Sequence, residues 1–207
     1  MRYPADQKAK TRQTILDAAT RVFRSRGYQG GGVDAVMKEA GLTHGGFYSH
    51  FRNKEDLFAQ SIESGLGAMS EQHRRWTSGT RGADHIRAFL SGYLSPRHRM
   101  NPGRGCPAPP LVSEIGRSGE QPRETFERGL EGWAAGLAEH LDGVPEGRRE
   151  EAALGVIAAC VGALSVSRAV TDPALADRIL ESTRAMIESA FLEADPPGPS
   201  PQRGEAP

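Results

Sequence analysis

Gly41-Leu42-Thr43-His44-Gly45-Gly46-Phe47-Tyr48-Ser49-His50-Phe51-Arg52-Asn53-Lys54-Glu55-Asp56-Leu57 is the stretch on which the reading of this chain turns. Just before it, Val33, Val36, Met37 and Ala40 recur at i, i+3, i+4 and i+7, the apolar stripe of a two-turn helix that Gly41 ends. A glycine there lets the chain take positive φ where it changes direction. Thr43 starts a second short segment whose Phe47 and Phe51 lie one turn apart, and Asn53 is placed to cap a longer helix. Two short helices across a Gly-Leu-Thr turn make a helix-turn-helix candidate, with Val36, Ala40 and Phe47 closing a small core. Gly45 and Gly46 each cost about 1 kcal/mol in a helix relative to Ala. That cost implies a backbone that must come close to something, and a DNA strand qualifies. On periodicity alone, a plain helical hairpin with a flexible turn is the simpler reading.

Working outward, Ile15, Ala19, Val22 and Phe23 put one apolar face on a helix over 7–26 that Gly27 stops, with basic residues on much of the rest. Downstream, Leu57, Phe58, Ile62, Leu66 and Met69 mark a helix over 54–75, and Ile86, Phe89, Leu90 and Tyr93 another over 83–95. Residues 96–110, rich in proline and glycine and containing Cys106, read as a constrained connector. Helices over 110–116, 122–141, 145–170 and 173–192 follow, all four opening on a proline, a residue suited to a first turn. From Asp195 the chain turns to Pro-Pro-Gly-Pro-Ser-Pro, the composition of a disordered tail over 195–207. The expectation is an all-α fold of about nine helices.

The 207 residues allow one domain of ordinary size with a second small one, and 37% hydrophobic with 25% charged residues argues against a wholly disordered chain. Net charge is zero, yet residues 1–60 carry a balance of +4 and the remainder −4, a basic head on an acidic body that suits an approach to polyphosphate. The longest apolar run, 154–166, reads as too short for a bilayer, and the first residues show no secretory h-region. Two cysteines make no disulfide framework, so a reduced, cytoplasmic setting without membrane contact is expected. Nucleophile, phosphate-loop and metal motifs are missing, and the six histidines show no ligand spacing, so neither an enzyme nor a cofactor is expected.

At the opening stretch the sequence resembles the TetR family of bacterial transcriptional regulators. Gly41 to Leu57 is similar to that family's recognition helix and the entry to its fourth helix; Ala18-Ala19, Phe23, Gly27-Tyr28 and Val33-Asp34-Ala35-Val36 fit its first two helices. The resemblance covers residues 8–62 and implies an N-terminal three-helix DNA-binding head with a helix-turn-helix (1–55). A C-terminal helical ligand-binding and dimerisation domain (56–194) would follow. It implies that Tyr48 reaches a phosphate, that Lys54 meets the DNA backbone, and that Thr43 caps the recognition helix and touches a phosphate. His44, Gly45, Gly46 and Ser49 would face the groove, with His44 the base-edge donor and His50 near the backbone. Family members often carry Thr or Ser before the second helix; Gly31-Gly32 here leaves only backbone N–H groups, at Gly32, for that phosphate. Arg2, Lys8 and Lys10 either track phosphates or form a solvated basic face.

For the body, the resemblance implies a homodimer through the last two helices, where Gly155, Ala158, Ala159, Gly162, Ala163 and Ser167 permit close approach. It also implies a pocket for a small-molecule effector, with Phe89, Tyr93, Leu111, Trp133, Leu137 and Leu164 as candidate lining, though such stripes also read as ordinary core. Cys106, in Arg104-Gly105-Cys106-Pro107 with Arg97, His98 and Arg99 nearby, is either a sensing thiol with a depressed pKa or a small half-buried residue. Cys160 reads as inert core. The expected function is a repressor released from a palindromic double-stranded operator by an effector or by modification of Cys106. The alternatives are an architectural DNA-binding protein without effector and a Cys106-dependent enzyme paired with His98.

Overall fold

The structure, a computed structural model, describes residues 5–192; Arg2 and the tail over 195–207 lie outside the described residues. Nine α-helices follow one another among the described residues: α1 (Ala5–Gly30), α2 (Val33–Glu39), α3 (Lys54–Trp76), α4 (Gly82–Tyr93), α5 (Pro96–Arg99), α6 (Ala108–Ile115), α7 (Glu120–Ala138), α8 (Arg149–Ala169) and α9 (Pro173–Phe191). Short 3-10 turns sit at His44–Ser49, Pro102–Arg104 and Glu146–Arg148, and there is no strand among the described residues. The all-α expectation stands, with nine α-helices but different membership: the recognition segment is a 3-10 turn, and the connector over 96–110 supplies α5. That connector is ordered by its own polar residues. Ser95 Oγ accepts the His98 N–H at 3.1 Å, capping α5. The His98 ring spans the loop, Nδ1 on the Tyr93 carbonyl at 2.8 Å and Nε2 accepting the Cys106 N–H at 3.0 Å.

Gly27 interrupts α1 as expected: it takes φ +71° and ψ 175°, a non-helical conformation that breaks the helix, and a last short turn reaches Gly30. The kink frees the Tyr28 N–H, which donates to Glu114 Oε2 of α6 at 2.7 Å.

Two buried clusters organise the chain. The first gathers Ile15, Ala19, Val22 and Phe23 of α1, Val36 and Met37 of α2, Phe47 and Phe51, and Leu57, Phe58 and Ile62 of α3, so it reaches past residue 55. Phe23 meets Phe58 edge-on, ring centroids 5.1 Å apart. Leu111 and Ile115 of α6 complete this cluster from outside the head. The second lies between α4, α7, α8 and α9 and includes Ile86, Phe89, Tyr93, Leu137, Cys160 and Leu164. α3 crosses from one cluster to the other.

The helix extends well beyond the 154–166 run, and the span Glu146–Ala169 is long and apolar enough to cross a membrane by length and composition alone, a test that a buried core helix also passes. In the fold, Ala153, Val156, Ile157, Cys160 and Leu164 of this helix are buried in the second cluster.

Two stability predictions follow from the packing. Leu111→Ala, at 2% exposure, removes buried contacts across the head–body junction and should cost about 2–5 kcal/mol by denaturant unfolding. Burial, with nearby imidazoles and Arg74 for His73 and with Arg168 and Arg24 for His98, lowers the pKa of both histidines to about 4. The unfolded chain, with histidines near 6.5, therefore binds more protons below that pH. Stability is fully present above about 6.5 and is lost as pH falls toward 4. The melting temperature should drop steadily between pH 6.5 and 5, ahead of the carboxylates, and His73→Gln should make that drop shallower.

Candidate nucleic-acid interface

The turn between α2 and the recognition segment is set by Gly41 at φ +69°, as its residue type requires. The Leu42 N–H donates back to the Met37 carbonyl at 2.9 Å. The segment His44–Ser49 is 3-10, with the Gly46 N–H on the Thr43 carbonyl at 3.1 Å. Two glycines weaken the α geometry that the sequence reading assumed. Thr43 occupies the cap position, but its side chain makes no capping hydrogen bond, which corrects its expected capping role and leaves the hydroxyl exposed. Phe47 and Phe51 face inward, stacked at 5.8 Å, and anchor the segment on the head core.

The remaining side chains face out. Tyr48 is 66% exposed, its ring edge-on to Phe47, and Ser49 and Gly45 are exposed beside it. A Cβ added at Gly45 or Gly32 meets no atom within 4 Å, and one at Gly46 meets only the Met37 terminal methyl at 3.7 Å. No packing inside the chain requires these glycines. His44 Nδ1 is engaged by the exposed Asp34 carboxylate of α2, a partner the sequence reading missed because the two residues lie ten positions apart. His50 is half-buried with Nδ1 unpartnered; burial, then Lys8 and Arg12, lowers its pKa. Lys54 lays its ammonium 4.1 Å over the Tyr28 ring, and burial lowers its pKa against the opposing pull of Glu114.

Behind the segment, Asp56 is buried and collects the Arg52 N–H at 3.0 Å, the Arg52 guanidinium at 3.2 Å, Gln60 at 2.9 Å and Gln121 of α7 at 3.3 Å. Burial alone would push this carboxyl up, but the donors outweigh it and hold its pKa at about 2. Asn53 caps α3 as expected, accepting the Asp56 N–H at 2.8 Å.

In the body, Phe89, Tyr93, Cys106, Leu137 and Leu164 are fully buried in the second core, and Leu111 sits in the head core. Of the candidate pocket residues, Trp133 is brought to a cavity. It shares a space of about 430 Å³ between α3 and α7 with Glu63, Leu66, Met69, Ser70, Thr125 and Arg128. The helical glycines Gly67, Gly129 and Gly132 also line it, and they were the overlooked signal; a Cβ at Gly129 would run into Leu66. Trp133 lies 6.0 Å from Phe89 and 5.6 Å from Tyr93, between the cavity and the core.

The cations around Cys106 are not the connector arginines expected from sequence. They are Arg24 of α1 and Arg168 of α8, and burial, which raises the thiol pKa, outweighs them and the Tyr93 hydroxyl. A depressed thiol pKa is therefore not what this site provides. Arg24 is 6% exposed, reaches the Gly103 carbonyl at 3.4 Å, and leaves Nε and Nη2 without partners. Cys160 is buried and its thiol pKa is also raised by burial. The structure also gathers His73, His85 and His140, which the sequence spacing did not connect: His73 and His85 Nε2 atoms lie 3.1 Å apart, and the His85 and His140 rings stack at 3.5 Å. No group of three potential ligands among the described residues is placed to hold a metal ion.

Comparison with known proteins bears on this architecture. The profile of bacterial regulatory proteins of the tetR family matches residues 15–60, which span α1, α2, the recognition segment and the start of α3. The HTH-type transcriptional regulator LmrA of Bacillus subtilis is 31% identical over 165 residues, covering 76% of this chain and 86% of that protein. Among solved structures, a TetR transcriptional regulator from Chloroflexus aurantiacus superposes with TM-score 0.77 at 23% identity, covering 91% of this chain and 97% of its own. Reduced NemR of Escherichia coli superposes with TM-score 0.73 at 22% identity, covering 87% and 96%. The structures speak to the fold; the relative of known sequence, matched over most of its length, places the chain in the tetR family of bacterial DNA-binding transcriptional regulators.

Proposed function

We propose that the exposed face of the recognition segment meets the operator, and that the chain is a homodimeric cytoplasmic repressor released from a palindromic site when a small molecule enters its body. The observation that carries this reading is the open space over Gly32, Gly45 and Gly46, which suits close approach of a DNA backbone. Thr43, Tyr48 and Ser49 then supply hydroxyls to phosphates and groove edges. His44 supplies a base-edge contact on leaving Asp34, and Lys54 and the environs of His50 supply charge at the backbone.

Dimerisation is supported by the apolar surface on the last two helices, where Leu154 and Val166 of α8 and Leu175 and Met186 of α9 are exposed. A two-fold pairing there presents two heads to half-sites one turn, about 34–36 Å, apart. The effector reading rests on the α3–α7 cavity. Trp133 is its movable wall, Phe89, Tyr93, Leu137 and Leu164 form the packing behind it, and Leu111 carries the displacement through α6 to the head. An effector favouring the displaced arrangement lowers operator affinity by population shift. Release through Cys106 is a second route: the unpartnered Arg24 nitrogens and nearby Arg168 favour an anionic sulfur product, although the resting thiol is fully buried.

Mobility shifts on DNA flanking the gene, with excess nonspecific competitor and fixed salt, test the DNA face. Gly45→Ala should raise stability by about 0.4–1 kcal/mol while weakening operator binding at least about tenfold, some 1.4 kcal/mol. Lys54→Gln should flatten the log–log salt dependence by about 0.9. Wild-type affinity in Gly45→Ala would rule out this face, and equal affinity for a palindrome and its scramble would favour an architectural protein. Treatment with a mild oxidant or electrophile separates the two release routes. Loss of binding in wild type but not in Cys106→Ser establishes the thiol route, and indifference to treatment leaves the cavity as the site of release.

A further inference from the structure

A second cleft, about 770 Å³, lies between the C-terminal half of α3 and the segment joining α4 to α6. Its apolar floor is Trp76 and Met69; the Trp76 ring packs so closely on Gly92 that a Cβ there would overlap it. Its walls carry Arg75 of α3, Arg97 of α5 and Arg104 of the following 3-10 turn. None of the three guanidiniums has an ion pair or a side-chain hydrogen bond among the described residues. The one carboxylate lining the cleft, Glu71, is held by Arg74. His98, also in the wall, has both ring nitrogens engaged and stays neutral at physiological pH. The cleft therefore combines an uncompensated positive wall with a flat aromatic floor.

We propose that this cleft binds an organic anion with a flat apolar body, its carboxylate, phosphate or sulfonate group held by Arg75, Arg97 and Arg104 and its ring system laid on Trp76. Guanidinium forks match the paired oxygens of such groups, and indole supplies the apolar face. The volume suits a small organic ligand. Nucleic acid is not the occupant. The cleft sits on the C-terminal part of α3, where its lining from Ala68 to Trp76 lies about 21–33 Å along the helix from Lys54 at 1.5 Å per residue. The three arginines, all exposed, come from three separate elements and line one concavity, whereas a solvated basic face would spread along one helix. Arg104 follows Gly103, whose carbonyl holds Arg24 of α1, so a ligand drawing on Arg104 acts on a link to the head. That consequence rests on the regulator reading; binding itself does not.

The two tryptophans of the chain, Trp76 and Trp133, report on different cavities. In Trp133→Phe, 2-naphthoate and its neutral isostere 2-naphthamide are titrated by Trp76 emission, with calorimetry giving the affinities. The expected result is naphthoate binding at least about tenfold tighter than naphthamide, with that preference abolished in Arg97→Gln/Arg104→Gln, whose circular dichroism and naphthamide affinity stay as in the parent. Equal affinity for the two probes, or an anion preference that survives the arginine changes, overturns the proposal. So does a response to naphthoate confined to Trp133 in Trp76→Phe, which would put the anion in the α3–α7 cavity. Operator binding, measured separately, does not enter this outcome.

Discussion

Leu111 and Ile115 of α6 insert between α1 and α3, so the head core is closed by two side chains that belong to the body. Burying each side chain contributes about 1.5–3 kcal/mol. Three polar ties reinforce the junction: Tyr28 N–H to Glu114, Arg24 to the Gly103 carbonyl, and Asp56 to Gln121 of α7. Hydrogen bonds of this kind add about 1 kcal/mol each, more where a charge takes part. The total is only modestly larger than the roughly 5.5 kcal/mol of differential binding with which a ligand reverses a two-state equilibrium. A junction of this strength holds the head in one orientation at rest and leaves that orientation open to bias from the body.

The connector after α4 packs its 3-10 turn against α1 beside that junction, and half-buried cations tie its conformation. Arg168 donates to the carbonyls of His98 at 2.8 Å and Arg99 at 3.1 Å, and Arg184 to that of Leu94 at 2.9 Å. Carbonyl dipoles stand in for carboxylates around these guanidiniums. They solvate a cation without neutralising it, which leaves the region electropositive around the Cys106 sulfur while the apolar packing keeps the thiol protonated. Two opposing electrostatic demands are thus met in one place, and a change in the charge at Cys106 alters their balance.

What could be read from the sequence was local. The Gly41 turn, the Asn53 cap and the apolar spacing of α2 and α3 follow from rules that act within a few residues, and they appear where expected. The features missed depend on residues distant in sequence. Leu111 looks like any apolar position on a short helix until α6 is seen to lie against α1; His44 looks free until Asp34 is placed beside it. The three histidines come together only because the end of α3, the start of α4 and the end of α7 meet. Cys106 shows the same limit in electrostatic form: neighbours in sequence suggested a lowered thiol pKa, but burial and two arginines from other helices determine it.

The apolar helix over 146–169 brings these threads together. Only 39% of its most apolar window is buried inside the chain, and Leu154, Gly155, Ala158, Gly162 and Val166 remain on its outer side, with Leu175 and Met186 exposed on the α9 that packs beside it. A surface of that kind is covered in a stable protein, either by lipid or by another chain. Its small residues fit the second case, since glycine and alanine let two backbones approach, and the inner face of the same helix is fastened to α6, where Ser165 Oγ donates to the Pro109 carbonyl at 3.1 Å. A two-fold partner seated on the outer face would therefore brace the helix against which α6 rests. The spacing of the two heads and the seating of α6 in each head core then become one coupled variable, which is the property a DNA-binding dimer needs if a small ligand is to change its fit to a palindrome.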